Sequence, residues 1–255
     1  MKNLLFFDID GTLAIGKKVP ESTKKALKIV REKGDLVFIC TGRALSYVEL
    51  FFSDYADGFV CSNGRFGIMG DKVLYNCPLT REQIISFTHT LRELDAGFMF
   101  FDERAGYYEG PDEQFDACAA VWMPGFLRKG LDEHKITAYN FDVLYKDKDH
   151  LKKIMSALGN TCLFNDHEPH PSADVTIKGA DKGTAIKHIA QALNVSLDHV
   201  YAFGDGYNDI VMMEAAGHGV AMGNAVDPLK EKAEYITTDI HHDGIYNALK
   251  HYKLI

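Results

Sequence analysis

The sequence predicts an α/β protein: a Rossmann-like parallel-sheet core with an inserted α+β cap domain. Continuous apolar runs recur, each bounded by turn residues, as strands buried on both faces of a parallel sheet require. Helix-period segments alternate with these runs, the pattern of right-handed βαβ units. Between residues 78 and 177 the texture changes to short aromatic strands, and the first pattern then returns.

The first run, Leu4-Leu5-Phe6-Phe7, leads straight into Asp8-Ile9-Asp10-Gly11-Thr12-Leu13. Ser22 is the expected N-cap of a helix carrying Ala26, Ile29 and Val30 and stopping at Lys33-Gly34. Residues 36–40 form a second strand ending in Thr41-Gly42-Arg43, with a short helix through Val48 and Phe51. Residues 59–61 form a third, ending in Ser62-Asn63-Gly64, and residues 66–75 a hairpin turning at Gly70-Asp71. Thr80-Arg81-Glu82-Gln83 has capping-box spacing ahead of Ile84, Phe87, Leu91 and Leu94. In the insertion, strands are expected at 97–102, 106–109 and 136–145, and helices at 113–121 and 149–158, with Trp122 in the core. Lys182 then opens a helix carrying Ala185, Ile186 and Ile189. Residues 200–203 form a strand ending in Gly204-Asp205-Gly206-Tyr207-Asn208-Asp209, and a helix with Met212 and Met213 follows. Residues 218–221 form another strand, Pro228 starts a helix, Tyr235-Ile236 is a last strand, and a helix runs from 244 to 252. The domains are thus 1–77 and 178–255 for the core and 78–177 for the insertion.

The 255 residues suffice for one large domain or two small ones. A formal net charge of −8 argues against nucleic acid or an anionic membrane as partner, and a phosphate substrate must meet a local positive site. Cys40, Cys61, Cys77, Cys118 and Cys162 show neither metal spacing nor a disulfide framework, so a reducing compartment is expected. The apolar run before Asp8 is too short for a signal-peptide core, and no stretch approaches a membrane span, so the expected location is cytoplasmic.

Asp8 and Asp10 are two apart, so in extended chain both point to one side. They call for a shared proton or a bound hard cation, unless they simply close a strand with a solvated acidic turn. Gly11 lets the chain turn away and its N–H approach an anion, and Thr12 adds a hydroxyl. A carboxylate on such a loop can act as a nucleophile. The loop 204–209 either caps the next helix or joins Asp8 and Asp10 in an oxygen-rich pocket suited to Mg²⁺. Lys182 is a solvated lysine or, beside such a cluster, a charge neutraliser. Thr41-Gly42 can offer a hydroxyl and an N–H to phosphate oxygens at a helix N-terminus. Arg43 is read as pairing with an acid rather than as a phosphate ligand, and Ser62-Asn63-Gly64 as a turn or a substrate-facing loop. His167-Glu168-Pro169-His170 is read as a solvated loop ahead of a zinc site, and His241-His242-Asp243 as a helix N-terminus.

Asp8-Ile9-Asp10-Gly11-Thr12, Thr41-Gly42-Arg43, Lys182 and Gly204-Asp205-Gly206-Tyr207-Asn208-Asp209 resemble, in order and spacing, the four motifs of the haloacid dehalogenase (HAD) superfamily of phosphohydrolases. Ser62-Asn63-Gly64 and Ala221-Met222-Gly223-Asn224-Ala225 resemble its Cof-type subfamily, which carries an α+β cap between the second and third motifs. The resemblance implies a Mg²⁺-dependent phosphatase acting on small phosphorylated metabolites, sugar phosphates above all, through an aspartyl-phosphate. Asp8 would be the nucleophile and Asp10 the general acid and base. Mg²⁺ would be held by Asp8, the backbone carbonyl of Asp10 and Asp205, with Asp209 nearby or acting through water. Thr41, Gly42, Asn208 and Lys182 would hold phosphate oxygens, with Asn63 beside the substrate. The alternatives are a phosphomutase of related architecture, a non-catalytic metabolite-binding regulator on the same scaffold, and a metal-free carboxyl pair sharing one proton.

Overall fold

The structure, a computed structural model, describes residues 2–111 and 126–255. The expected helix at 113–121, Cys118 and Trp122 lie outside them. Contacts divide the chain into two compact units, Met1–Asn76 with Ala180–Ile255, and Cys77–Gly179.

In chain order the first unit begins with β1 (Leu4–Phe7), α1 (Glu21–Glu32), β2 (Leu36–Cys40), α2 (Leu45–Phe52), β3 (Gly58–Cys61), β4 (Phe66–Met69) and β5 (Lys72–Asn76). The second unit holds α3 (Arg81–Glu93), β6 (Gly97–Phe101), β7 (Gly106–Glu109), β8 (Leu127–Lys129), β9 (Asn140–Leu144), α4 (Lys148–Leu158), β10 (Cys162–Asp166) and β11 (Ser172–Ile177). The first unit resumes with α5 (Lys182–Ala192), β12 (Val200–Gly204), α6 (Ile210–Ala215), β13 (His218–Ala221), α7 (Asp227–Lys230), β14 (Tyr235–Ile236) and α8 (Gly244–His251).

The first unit is an eight-stranded sheet in the order β14-β13-β12-β1-β2-β3-β4-β5. β14 through β3 are parallel; only the β3–β4–β5 meander at one edge is antiparallel. β1 is fully buried because side chains on both faces are covered. Leu4, Phe6, Phe38, Val60 and Ala202 pack with Ala185, Ile186 and Ile189 of α5 and Met212 of α6. Alternation sends Leu5, Phe7, Val37 and Ile39 to the opposite face, where α1 packs on β2 and against α8. This is the α/β class with a Rossmann-like core expected from the runs.

The second unit is a six-stranded sheet in the order β10-β11-β9-β6-β7-β8, antiparallel except for the β7–β8 pair. Ile84, Phe87 and Leu91 of α3 and Leu151, Ile154 and Leu158 of α4 pack on Phe98, Phe100, Phe141 and Val143. Among the described residues no helix is long and apolar enough to cross a membrane.

Three local expectations are corrected. Pro20, not Ser22, holds the N-cap of α1, and the Ser22 hydroxyl is buried with no partner among the described residues. The strand expected at 136–145 is confined to Asn140–Leu144, because Ile136 instead bonds back to Asp132 in a turn. The edge strand β10 has no counterpart among the expected strands, because only Cys162 and Phe164 of it face the core while Leu163 is exposed, too short a stripe to mark a strand in sequence. The capping box at Thr80 and Gln83 forms as its spacing predicts.

Phe100 is fully buried and stacks on Phe141 with ring centroids 4.8 Å apart. Phe100→Ala is expected to cost about 3–5 kcal/mol, read from urea unfolding; a loss under about 1 kcal/mol would show that this core is not close-packed.

Candidate active site

In an open α/β sheet, ligands bind outside the carboxyl ends of the strands, where neighbouring strands lead off in opposite directions. Here that point lies between β1 and β12: the chain runs from β1 out to β2 and β3, and from β12 the other way to β13 and β14. Asp8 and Asp10 leave the end of β1, Asp205 follows β12, and Thr41 and Ser62 follow β2 and β3.

Lys182, the first residue of α5, is the centre of the site. It is 1% exposed, and its Nζ donates to Asp8 Oδ1 and to Asp209 Oδ1, each at 2.6 Å. Asp181 caps the helix by accepting from the Thr184 N–H, which fixes the start of α5. Gly64 adopts a left-handed φ of +93°, and a Cβ there would collide with the Asp181 carbonyl; only glycine lets the loop after β3 lie against this helix start. Burial alone would weaken the ammonium's hold on its proton, but the carboxylates of Asp209 and Asp8 outweigh it and keep Lys182 charged. Asp209 Oδ2 accepts from the backbone N–H groups of Asp205 and Gly206, both at 3.0 Å, so both its oxygens are engaged.

Asp205 is held by Thr12, whose hydroxyl donates to Oδ1 at 2.8 Å. Gly11, at φ +84°, lies so close that a Cβ would collide with the Asp205 carboxylate. Burial pushes the Asp8 carboxyl up to about 7; Lys182 opposes this and Asp209 adds to it. Burial likewise pushes Asp205 up to about 6, with Thr12 opposing and Asp209 adding. One ammonium does not neutralise three carboxylates crowded at a buried edge. Asp8, Asp205 and Asp209 each offer an oxygen within 4.8 Å of the others, the group of this kind found among the described residues. All-oxygen donors with excess negative charge fit a hard divalent cation.

The Asp10 side chain is outside this cluster. It is exposed, and Arg43 donates to its Oδ2 from Nη2 at 2.9 Å and Nε at 3.2 Å. The Arg43 guanidinium also lies 4.3 Å from the Tyr47 ring centroid. Arg43 thus pairs with an acid. A third group gathers beside it: Thr41 Oγ1 accepts from the Arg43 N–H, and the Asn63 N–H donates to the Thr41 carbonyl. A Cβ on Gly42 would come to 3.1 Å of Asn63 Oδ1, and that oxygen accepts from Asn208 Nδ2 at 3.3 Å. Ser62 and Asn63 both adopt left-handed backbone, at φ 51° and 52°. Such conformations in non-glycine residues cost of order 1–3 kcal/mol each and concentrate at functional sites.

The two histidine pairs take no part in the acidic cluster. His167 bonds Ser172 Oγ at 2.9 Å and Asp174 Oδ1 at 3.0 Å, within the second unit. His241 and His242 precede α8, and His242 pairs with Asp239. Asn224, which the sequence singled out only through its motif, does belong: Nδ2 donates to the Gly11 carbonyl at 2.9 Å and reaches Asp205 Oδ2 at 3.4 Å. Its signal was position, since it follows a parallel strand on the same edge. A cleft of about 430 Å³ opens here, lined by Asp10, Gly11, Gly223, Asn224, Asp239 and His241 among others.

Known proteins share both chain and fold. Residues 5–249 match the family of haloacid dehalogenase-like hydrolases. YkrA of Bacillus subtilis (strain 168), a phosphatase by name, is 33% identical over 99% of this chain and 98% of its own. The pyridoxal phosphate phosphatase YbhA of Escherichia coli (strain K12) is 30% identical over 95% of each chain. The solved structure of the HAD subclass IIB sugar phosphatase BT4131 superposes with a TM-score of 0.80 at 29% identity, covering all of both chains. The chain belongs to the haloacid dehalogenase-like hydrolases, as a phosphatase of the Cof type.

Asp8 and Asp205 bind protons more tightly folded than unfolded, so without metal their contribution to stability falls as pH rises from about 4 toward 7. A cation competes with those protons. Millimolar Mg²⁺ is therefore expected to raise the melting temperature more at about pH 8 than at about pH 5.5; an equal or larger gain at the acid pH would contradict this electrostatic account.

Proposed function

We propose that the protein is a Mg²⁺-dependent phosphatase of small phosphorylated metabolites, sugar phosphates in particular, working through an aspartyl-phosphate on Asp8. The observation that carries this is the buried Asp8 carboxylate, set at the end of β1 against Lys182 and beside Asp205 and Asp209. Lys182 engages Oδ1, which leaves Oδ2 as the attacking oxygen. Mg²⁺, held by Asp8, the Asp10 carbonyl and Asp205 with Asp209 behind them, would supply concentrated positive charge at the transferring phosphoryl group.

Asp8 forms a bond to phosphorus as the bond to the leaving oxygen breaks, and Asp10 gives that oxygen its proton. Asp10 then takes a proton from a water, which attacks phosphorus and releases Asp8 and inorganic phosphate. Arg43 donates to Asp10 Oδ2, which leaves Oδ1 for the exchanged proton. Thr41, Gly42, Asn63 and Asn208, gathered at the ends of β2, β3 and β12, bind phosphate oxygens by N–H and side-chain donors. Lys182 neutralises charge on Asp8 and on the phosphoryl group. Uncatalysed monoester hydrolysis is so slow that up to ~10²¹-fold acceleration is needed. Positioning contributes at most ~7–11 kcal/mol, so the covalent step and the electrostatics carry the remainder.

The similarity to a sugar phosphatase and to a pyridoxal phosphate phosphatase supports a small metabolite as substrate. The net charge of −8 accords with a partner that is neither nucleic acid nor anionic membrane. Cys40, Cys61, Cys77 and Cys162 form no disulfide among the described residues, which accords with a cytoplasmic setting.

With a panel of phosphorylated metabolites and Mg²⁺, Asp8→Asn is expected to release no phosphate while keeping the wild-type circular dichroism spectrum and a cooperative melt. Asp10→Asn should lose about 10²-fold or more, the ordinary share of general acid–base catalysis. Phosphate release by Asp8→Asn, or full wild-type activity in EDTA, would refute the reading.

A further inference from the structure

Asn224 lies in the stretch Met222-Gly223-Asn224-Ala225 that follows β13, and its side chain ties three loops together. Nδ2 donates to the Gly11 carbonyl at 2.9 Å in the loop after β1, and lies 3.4 Å from Asp205 Oδ2 in the loop after β12. Oδ1 accepts from the Ile240 N–H at 3.1 Å, in the turn before α8. Asn224 is exposed, so this carboxamide is not fixed by packing in a core.

We propose that Asn224 is a positioning residue for the divalent-cation site, orienting the Asp205 carboxylate and the backbone carbonyls of the Asp10–Gly11 loop. The inference rests on the cation reading above and goes beyond it. Asp205 is held at both ends: Thr12 donates to Oδ1 at 2.8 Å and Asn224 reaches Oδ2 from the other side. A carboxylate so held can rotate little about its Cβ–Cγ bond, so its free lone pairs point in a set direction. The Gly11 peptide units are held as well. The Gly11 N–H donates to the Ala14 carbonyl at 3.1 Å, and the Gly11 carbonyl accepts from Asn224. The plane containing the Asp10 carbonyl and the plane after it are thereby both fixed, about a glycine that alone tolerates this φ of +84°. A neutral amide suits this place: it donates to the carboxylate without adding a charge that competes with the cation. Groups that orient metal ligands in this way typically set affinity by about 10–100-fold.

The test is Asn224→Ala in the full-length protein, with Mn²⁺ binding measured by titration calorimetry alongside the melt of the metal-free protein. The expected result is a dissociation constant raised about 10-fold or more, with a metal-free melt close to wild type and most of kcat regained at saturating Mg²⁺. A merely structural tie would lower the melt and leave the affinity of the folded protein unchanged. A folded Asn224→Ala that binds Mn²⁺ within about twofold of wild type overturns the inference. If Asn224→Ala shows no cooperative melt, Asn224→Ser, whose hydroxyl is too short to span Gly11 and Asp205, carries the same test with the same outcomes. Wild-type protein that binds no Mn²⁺ would instead sink the cation reading itself.

Discussion

A single ammonium, buried at the end of a parallel sheet, is shared between two carboxylates. Lys182 contacts Asp8 and Asp209 at 2.6 Å, and all three side chains are almost wholly withdrawn from water. Taking such ions out of water costs several kcal/mol each, and only close pairing offsets it. The three residues come from β1, from the start of α5 and from the loop after β12, and Lys182 and Asp8 are 174 positions apart. The strand order serves this contact. β12 returns beside β1 after the second unit's excursion, which places the two acidic loops next to one another and α5 below them. The pairing is incomplete, because a third carboxylate, Asp205, stands in the same pocket without a cation of its own. The structure thus stores an unbalanced charge where the proposed chemistry needs a cation.

Backbone restrictions serve the same place. Gly11 lets the loop after β1 approach Asp205 as no other residue could, and Gly64 lets the loop after β3 rest on the cap of α5. Ser62 and Asn63 adopt left-handed backbone without being glycine, and the result sets the Asn63 amide beside Gly42 and Asn208. A local cost is borne where phosphate is proposed to sit, and the close-packed sheet behind it supports that cost.

Much of this was legible in the sequence, for physical reasons. Strands buried on both faces read as unbroken apolar runs, so β1, β2 and β12 stand out, and the polar residue after each marks the edge where sites form. Asp8, Asp10, Lys182, Asp205 and Asp209 were grouped by their resemblance to the family's motifs, while the residues alone left Lys182 and the loop 204–209 open, and the Asp10 side chain stands apart with Arg43. Edge strands were harder: β8 exposes most of its side chains, and β10 sends only Cys162 and Phe164 inward. The Ser22 cap failed because a residue two places away, Pro20, already had the extended backbone an N-cap needs. The bonds from Thr12 and Asn224 to Asp205 span 193 and 19 positions and depend on side-chain reach, which no local pattern encodes. Arg43 offered only a choice between anion and acid, and the Asp10 pairing depends on how two loops lie.

The central claim is that the Asp8 carboxylate itself forms a bond to phosphorus. The most direct test is rapid acid quenching of a turnover with ³²P-labelled sugar phosphate, counting protein-bound label, with the labelled site located in a parallel sample by mass spectrometry as the homoserine that borohydride reduction leaves where an aspartate carried phosphate. The account predicts label on Asp8 alone, appearing before free phosphate and lost on hydroxylamine treatment. Label on another residue, or substrate converted to phosphate with no protein-bound label at any time, would contradict it.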